Sequence, residues 1–357
     1  MLETFQILLG LVLLVIGGEL LVRGAASLAA AMQISPLVIG LTVVAFGTSA
    51  PELGVSLQAA LAGDASIAVG NVVGSNIINI LFVLGAAAVV APLIVSSDLI
   101  RKDLPVMIAA TAVFWWMASD GNVSRWEGIA MFVTLLVYLW QSITGSRKAT
   151  KAQAAEIEEY AETLLSAKDY FIQIGFLIAG LVMLGIGANQ LVAGATSIAE
   201  SLGVSQLVIG LTVVAIGTSL PEVVTSIVAS YRGQRDIAVG NVVGSNLFNI
   251  LCVLGLTAAV SPVGVEVPAD AISFDFPVMM AVAFVCLPIF FTGFLIRRWE
   301  GALFLAFYAL YTIVILVVAK QPELSQHYRE FVIYGVVPLM LLALMLSFVL
   351  NRKPTAT

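Results

Sequence analysis

Gly47-Thr48-Ser49-Ala50-Pro51-Glu52 and, 170 residues further on, Gly217-Thr218-Ser219-Leu220-Pro221-Glu222 decide how this chain is read. Each stretch sets a proline and a carboxylate inside an otherwise apolar segment. An acid near the bilayer centre costs about 3 kcal/mol on insertion scales, so two copies of one acidic motif call for a functional explanation. The expectation is that the two stretches face each other in mid-membrane and form a cation site.

The surroundings support a membrane setting. The chain has 357 residues, 60% apolar and 11% charged, with a mean hydropathy of +1.06. A soluble domain with so little charge would expose large apolar patches. Windows of about 20 apolar residues, enough to cross a hydrocarbon core, recur along nearly all of it. The start MLETFQILLG lacks the basic region of a signal peptide, so the first window is expected to be a retained span. Cys252 and Cys286 both lie in apolar windows and read as small hydrophobes. The single histidine, His327, argues against a His-ligated metal centre or a His-based hydrolase, and no basic run suggests nucleic acid.

Working outward from the motif, residues 37–85 align with 207–255 without gaps, and 33 of the 49 positions are identical. The correspondence continues more weakly. Asp98, Asp103 and Pro105 match Asp270, Asp275 and Pro277, and RWEG at Arg125–Gly128 matches RWEG at Arg298–Gly301. The predicted spans are 5–25, 36–60, 66–91, 104–119 and 126–143, then 171–199, 206–230, 237–260, 274–293 and 299–319. An eleventh window, Phe331–Leu350, has no counterpart in the first half. The expected organisation is a first five-span repeat over 1–144, a solvated cytoplasmic linker over 145–169, a second repeat over 170–320, and an extra span with a tail over 321–357.

Numbering the connections alternately puts 13 of the 16 basic residues on one side and only Arg125, Lys320 and Arg329 on the other. By the positive-inside rule the first side is cytoplasmic, with the N-terminus outside and the C-terminus inside. Five spans per half is an odd number, so the second repeat enters the membrane inverted. The expected fold class is therefore an all-α integral membrane protein with two inverted-topology repeats of five helices plus one further C-terminal helix. In such folds substrates bind at the midplane, where the halves meet.

Pro51 cannot donate to the Gly47 carbonyl, so each motif helix should break there and free the carbonyls of Ala45, Gly47 and Thr48 as oxygen ligands. Thr48, Glu52 and Ser56 fall at spacing four, and Thr218, Glu222 and Ser226 repeat them. A kinked structural helix would explain these hydroxyls but not two buried glutamates. In the next span Asn71, Ser75 and Asn79, with Asn241, Ser245 and Asn249, form stripes of neutral oxygen donors. Glue between packed helices is the competing reading for this set and for Asn76 and Asn246. A pocket of carboxylate, hydroxyl, amide and carbonyl oxygens suits hard cations: Ca²⁺ above all, and Na⁺ with similar ligands.

The paired GTSxPE and GNVVGSNxxN stretches resemble the alpha repeats of the sodium/calcium exchangers in the calcium:cation antiporter superfamily, its prokaryotic calcium/sodium antiporters in particular. The resemblance covers about 320 residues. It implies that Glu52 and Glu222 bind Ca²⁺ with help from the Thr48 and Thr218 carbonyls. It also implies that oxygens of Ala45, Ser49, Ser75, Ala215, Ser219 and Ser245 form sodium sites, and that Asn79 and Asn249 line the central site. Potassium-dependent relatives carry Asp at the position of Asn249, which argues against K⁺ co-transport here. The implied activity is exchange of Na⁺ against Ca²⁺ in a bacterial inner or plasma membrane. Transported ions and lipid are the only expected partners, with no resident cofactor and no protein partner. A proton/calcium antiporter of the same fold is the nearest alternative, a cation channel the next, and an enzyme the last.

Some charged residues lie outside this set. Glu19 and Arg23, four apart, suggest an interfacial ion pair. Asp98, Asp103, Asp270 and Asp275 flank spans and read as solvated caps, with attraction of cations at the entrances as the other reading.

Overall fold

A computed structural model describes residues 2–63, 66–156, 167–203, 215–291 and 294–320, with further positions at 209, 213, 327, 330–336, 338 and 342. Twelve helices carry the argument. In the first half these are α1 (Leu2–Ala31), α2 (Pro36–Thr48), α3 (Ala50–Leu61), α4 (Ile67–Val90), α5 (Leu104–Met117) and α6 (Arg125–Glu156). In the second half they are α7 (Ala167–Ser201), α8 (Ala215–Thr218), α9 (Leu220–Tyr231), α10 (Arg235–Val260), α11 (Phe276–Phe291) and α12 (Arg298–Lys320). Among the described residues six helices are long and apolar enough to cross a membrane, and the bent pair α2 and α3, taken as one broken span, brings the number to seven. The first part of the expected 206–230 span and most of the eleventh window lie outside the described residues.

The repeat is visible in how the halves grip each other. α4 and α10 form the centre; the membrane-length stretch of α10 is wholly buried and that of α4 largely so. α1 and α7 lie together at the periphery with exposed apolar residues such as Leu8, Val15, Ile178 and Val182, as a lipid-facing surface requires. Their contact is antiparallel and built on glycine: a Cβ on Gly10 would meet the Gly187 carbonyl oxygen at 2.8 Å, and one on Gly17 the Gly180 carbonyl oxygen at 2.9 Å. Small residues at seven-residue spacing let the two backbones touch, and dispersion and close packing replace the hydrophobic drive that lipid does not supply.

Two short ladders also join the repeats. β1 (Leu93–Ile94) pairs antiparallel with β4 (Leu295–Ile296), and β2 (Asn122–Val123) pairs antiparallel with β3 (Val265–Glu266). β1 and β3 occupy equivalent places in the two repeats, as do β2 and β4, so the pairings are one motif seen twice. Among the described residues these short strands are the one departure from an all-α architecture.

Two expectations need correction. The stretch 145–169 is not wholly a solvated linker, because α6 continues unbroken to Glu156 and the Ser35 amide donates to Ser146 Oγ at 2.8 Å. Its Ala, Lys and Glu residues are good helix formers and carry the helix onward; residues 157–166 lie outside the described set. Glu19 does not pair with Arg23. It takes both guanidinium bonds from Arg232 at the end of α9, 2.7 and 2.9 Å long, while Arg23 sits 5.3 Å from the ring centre of Phe176. The pair is partly exposed and contributes about 0–1 kcal/mol; its interest is that it ties peripheral α1 to the central bundle.

Gly17→Leu should place a side chain where the Gly180 backbone already lies, with overpacking costing about 1–3 kcal/mol. A lowered thermal midpoint in detergent is expected, with Gly175→Leu on the exposed face of α7 close to wild type. Equal midpoints for the two variants would contradict the glycine-packed interface.

Candidate cation site

The site begins with the two helix breaks. Pro51 and Pro221 have no amide hydrogen and fall in the first turns of α3 and α9, where none is needed. Just before them Ser49 (φ −82°, ψ 5°) and Ser219 (φ −89°, ψ 4°) turn the chain out of the helix, and α2 meets α3 at 44°. Glu52 and Glu222 therefore stand in the first turn of a new helix at membrane depth, where the exposed amides and the helix dipole favour a negative charge.

Both carboxylates are fully buried, and each is held by the other repeat. The Ser49 hydroxyl donates to Glu222 Oε1 at 3.2 Å, and the Ser219 hydroxyl to Glu52 Oε1 at 3.4 Å. Ser245 also reaches Glu222 Oε1, at 3.5 Å, and its twin Ser75 reaches Glu52. Thr48 lies beside them, its hydroxyl 3.1 Å from Asn241 Oδ1 and 3.4 Å from Ser245 Oγ. Thus Glu52, Glu222, Thr48, Ser49, Ser219, Ser75 and Ser245 are brought together. Thr218, half-buried, lines the adjoining cavity. Ala215 opens the short helix α8.

The second oxygen of each glutamate, Oε2, is buried without a hydrogen-bond partner. The same holds for both amide atoms of Asn79 and for Asn249 Oδ1. Buried polar atoms in this condition cost about 1–3 kcal/mol each, and an ion held by the two carboxylates would satisfy those of Glu52 and Glu222. Two carboxylates with neutral oxygens match a hard divalent cation in charge and in ligand type. Among the described residues no group of three or more His, Cys, Asp or Glu is gathered to hold a metal, at this site or at any other.

Asn79 and Asn249 owe their position to a feature the sequence does not announce. Each opens a π-helical turn, Asn79–Leu84 in α4 and Asn249–Leu254 in α10. Such turns are rare and cluster at functional sites. Asn249 Nδ2 donates to Asn76 Oδ1 at 3.1 Å, so Asn76 positions Asn249 across the repeat boundary.

Three expectations are revised by the geometry. The Ala45 carbonyl is not freed by the break, since it accepts the Ser49 amide at 3.0 Å and the Thr48 hydroxyl at 3.3 Å. Ser56 and Ser226 do not extend the donor stripe, because they accept from Asn71 Nδ2 at 2.9 Å and Asn241 Nδ2 at 3.0 Å. Those same amides reach the backbone carbonyls of Glu52 and Glu222, at 3.1 and 3.4 Å. Asn71 and Asn241 are therefore braces that fix the glutamate-bearing helices to α4 and α10.

The two half-sites are chemically alike and differently exposed. Gly240, Asn241 and Gly244 of α10 are buried, and α2 packs against them; a Cβ on Gly240 would lie 2.7 Å from the Leu37 carbonyl oxygen. Their twins in α4 are open: Gly70 is exposed, and Asn71 and Gly74 are half-buried. A cavity of about 470 Å³ lies there and reaches Ser75 and Thr218.

Comparison with known proteins bears on the family and the fold. The sequence profile of the sodium/calcium exchanger protein family matches residues 2–144 and 172–317. The inner membrane protein YrbG of Escherichia coli is 39% identical over 289 residues, which span 80% of this chain and 87% of that protein. The sodium/calcium exchanger MaX1 of Methanosarcina acetivorans is 33% identical over 341 residues, 87% of this chain and 97% of that one. Among solved structures the sodium-calcium exchanger NCX_Mj, soaked with Na⁺ and without Ca²⁺, superposes with a TM-score of 0.75 at 31% identity, covering 87% of this chain and 97% of that one.

Asn241→Leu should strip the Glu222 carbonyl and Ser226 of a donor in a sealed environment, costing about 1–3 kcal/mol. Asn71→Leu should cost less, because water entering the cavity can replace the lost bonds. Thermal unfolding in detergent checks the order; a larger loss for Asn71→Leu would contradict it.

Proposed function

This chain belongs to the sodium/calcium exchanger family, and we propose that it is a secondary antiporter that moves Na⁺ against Ca²⁺ by alternating access around Glu52 and Glu222. The observation that carries the reading is the reciprocal grip of Ser49 on Glu222 and Ser219 on Glu52, with one unpartnered oxygen left on each carboxylate. Ca²⁺ would be held by the two carboxylates, with the Thr48 and Thr218 carbonyls and the amides of Asn79 and Asn249 nearby. Na⁺ would use the oxygens of Ser49, Ser75, Ser219, Ser245, Ala45 and Ala215; at Ala45 it must share a carbonyl that already accepts two donors. The ions are cargo, and the exchange needs no resident cofactor, no enzymatic step and no protein partner.

Obligatory coupling follows from charge. A loaded pocket is close to neutral, whereas an empty one carries two buried negative charges, each with a desolvation penalty of several kcal/mol. Only the loaded forms change sides readily, so one ion leaves as another enters. The cavity that reaches Ser75 and Thr218 is the half-open form of such a cycle, with the α2 side closed. From the distribution of Lys and Arg we infer that this cavity opens outside, in a protein of the bacterial inner or plasma membrane with its N-terminus outside and its C-terminus in the cytoplasm.

Proteoliposomes loaded with Na⁺ and diluted into Na⁺-free medium should take up radiolabelled Ca²⁺. Uptake driven by a proton gradient but not by Na⁺ would favour the proton/calcium alternative, and calcium flux with no counter-ion gradient would indicate a channel. Glu52→Gln and Glu222→Gln should each reduce exchange to background while the protein still elutes as one folded species. Full transport by either variant would remove that residue from the site.

A further inference from the structure

Two aspartates outside the central site repeat each other in a way that solvated caps do not explain. Asp103 and Asp275 occupy equivalent positions in the repeats, and each ends a π-helical turn, Leu99–Asp103 and Ala271–Asp275, that leads into a membrane helix. Each accepts a hydrogen bond from a tyrosine on the last helix of its own repeat. Tyr138 donates to Asp103 Oδ1 at 2.8 Å, and Tyr311 to Asp275 Oδ1 at 3.3 Å. Tyr138 and Tyr311 stand at matching distances from the two RWEG motifs.

The twins differ in exposure as the two half-sites do. Asp103 is only 7% exposed. Asp275 is half-buried and lines the 470 Å³ cavity together with Tyr311, and the same cavity reaches Ser75 and Thr218. Asp275 is the only charged residue among the described residues that line it. In a vestibule lined otherwise by apolar and uncharged polar side chains, one carboxylate concentrates the field and draws cations inward. The local charges differ as well: Arg101 and Lys102 precede Asp103, with Lys102 bonded to Asp98 at 3.2 Å, whereas Ser273 and Phe274 precede Asp275.

We propose that the Asp275–Tyr311 pair is a capture subsite for the entering cation at the open mouth, and that Asp103–Tyr138 is the same subsite for the opposite face, sealed in the state seen here. The pair offers carboxylate and phenol oxygens to a cation that keeps much of its water, since Ca²⁺ accepts six to eight oxygens in flexible geometry. The ion sheds the rest on moving to Ser75, Thr218 and the glutamates. The inference rests on the exchanger reading and adds a residue pair for each face of the membrane.

The test measures initial rates of calcium uptake against calcium concentration from each face separately, in membrane vesicles of fixed orientation. Wild-type vesicles without sodium-driven uptake would sink the exchanger reading itself, before any variant is compared. Given wild-type exchange, Asp275→Asn should raise KM for Ca²⁺ about tenfold on the cavity face, the lower end of what field focusing in a cleft provides. Vmax and the KM on the other face should not change. Asp103→Asn should show the mirror-image pattern. Asp275→Glu, which keeps the charge, should retain a KM near wild type, and added salt should shrink the difference between wild type and Asp275→Asn. An unchanged KM on both faces, an equal rise on both, or a fall in Vmax alone would overturn the proposal and leave Asp275 as a structural partner of Tyr311.

Discussion

Everything in this protein is arranged around two carboxylates that cannot be left alone in the middle of a membrane. Glu52 and Glu222 are fully buried, and neither is held by its own repeat alone. Each half supplies a glutamate at the start of a broken helix and a serine that binds the glutamate of the other half. The glycine-lined contact of α1 with α7, the two cross-repeat strand ladders and the Asn249–Asn76 bond hold the halves close enough for that exchange of bonds. In the proposed exchange cycle a cation between the carboxylates would complete the electrostatics.

Inverted repeats give such a site two ways to open. The structure displays both conditions at once, because equivalent residues of α4 and α10 are exposed in one half and buried in the other. Asn71 meets the cavity while Asn241 is sealed, and Thr218 is half-buried while Thr48 is not exposed at all. Exchanging the roles of the halves converts one condition into the other without new chemistry. The packed interfaces have discrete arrangements, so the change is a switch between states rather than a continuous widening.

Much of this was legible in the sequence because membrane burial leaves few explanations for a repeated acidic motif. The duplication, the helix breaks at Pro51 and Pro221 and the pairing of Glu52 with Glu222 all follow from residue type and spacing. What remained hidden depends on geometry that spacing does not encode. The π-turns that present Asn79, Asn249, Asp103 and Asp275 leave no composition signal. Ser56 sits on the same helical stripe as Thr48 and Glu52, yet it turns to Asn71 because α4 packs on that side. Glu19 found Arg232 rather than Arg23 because a partner 213 residues away was brought closer by tertiary packing. The continuation of α6 to Glu156 was hidden by its polarity, which marks departure from lipid and not the end of a helix.

The most direct test of the account is an experimental structure of the protein soaked in Ca²⁺, with the ion located by its anomalous signal. A single calcium ion is expected between the repeats, about 2.3–2.6 Å from oxygens of both Glu52 and Glu222, and should disappear when the crystals are transferred to Na⁺. Calcium bound to one glutamate alone, or at a place touching neither, would contradict it.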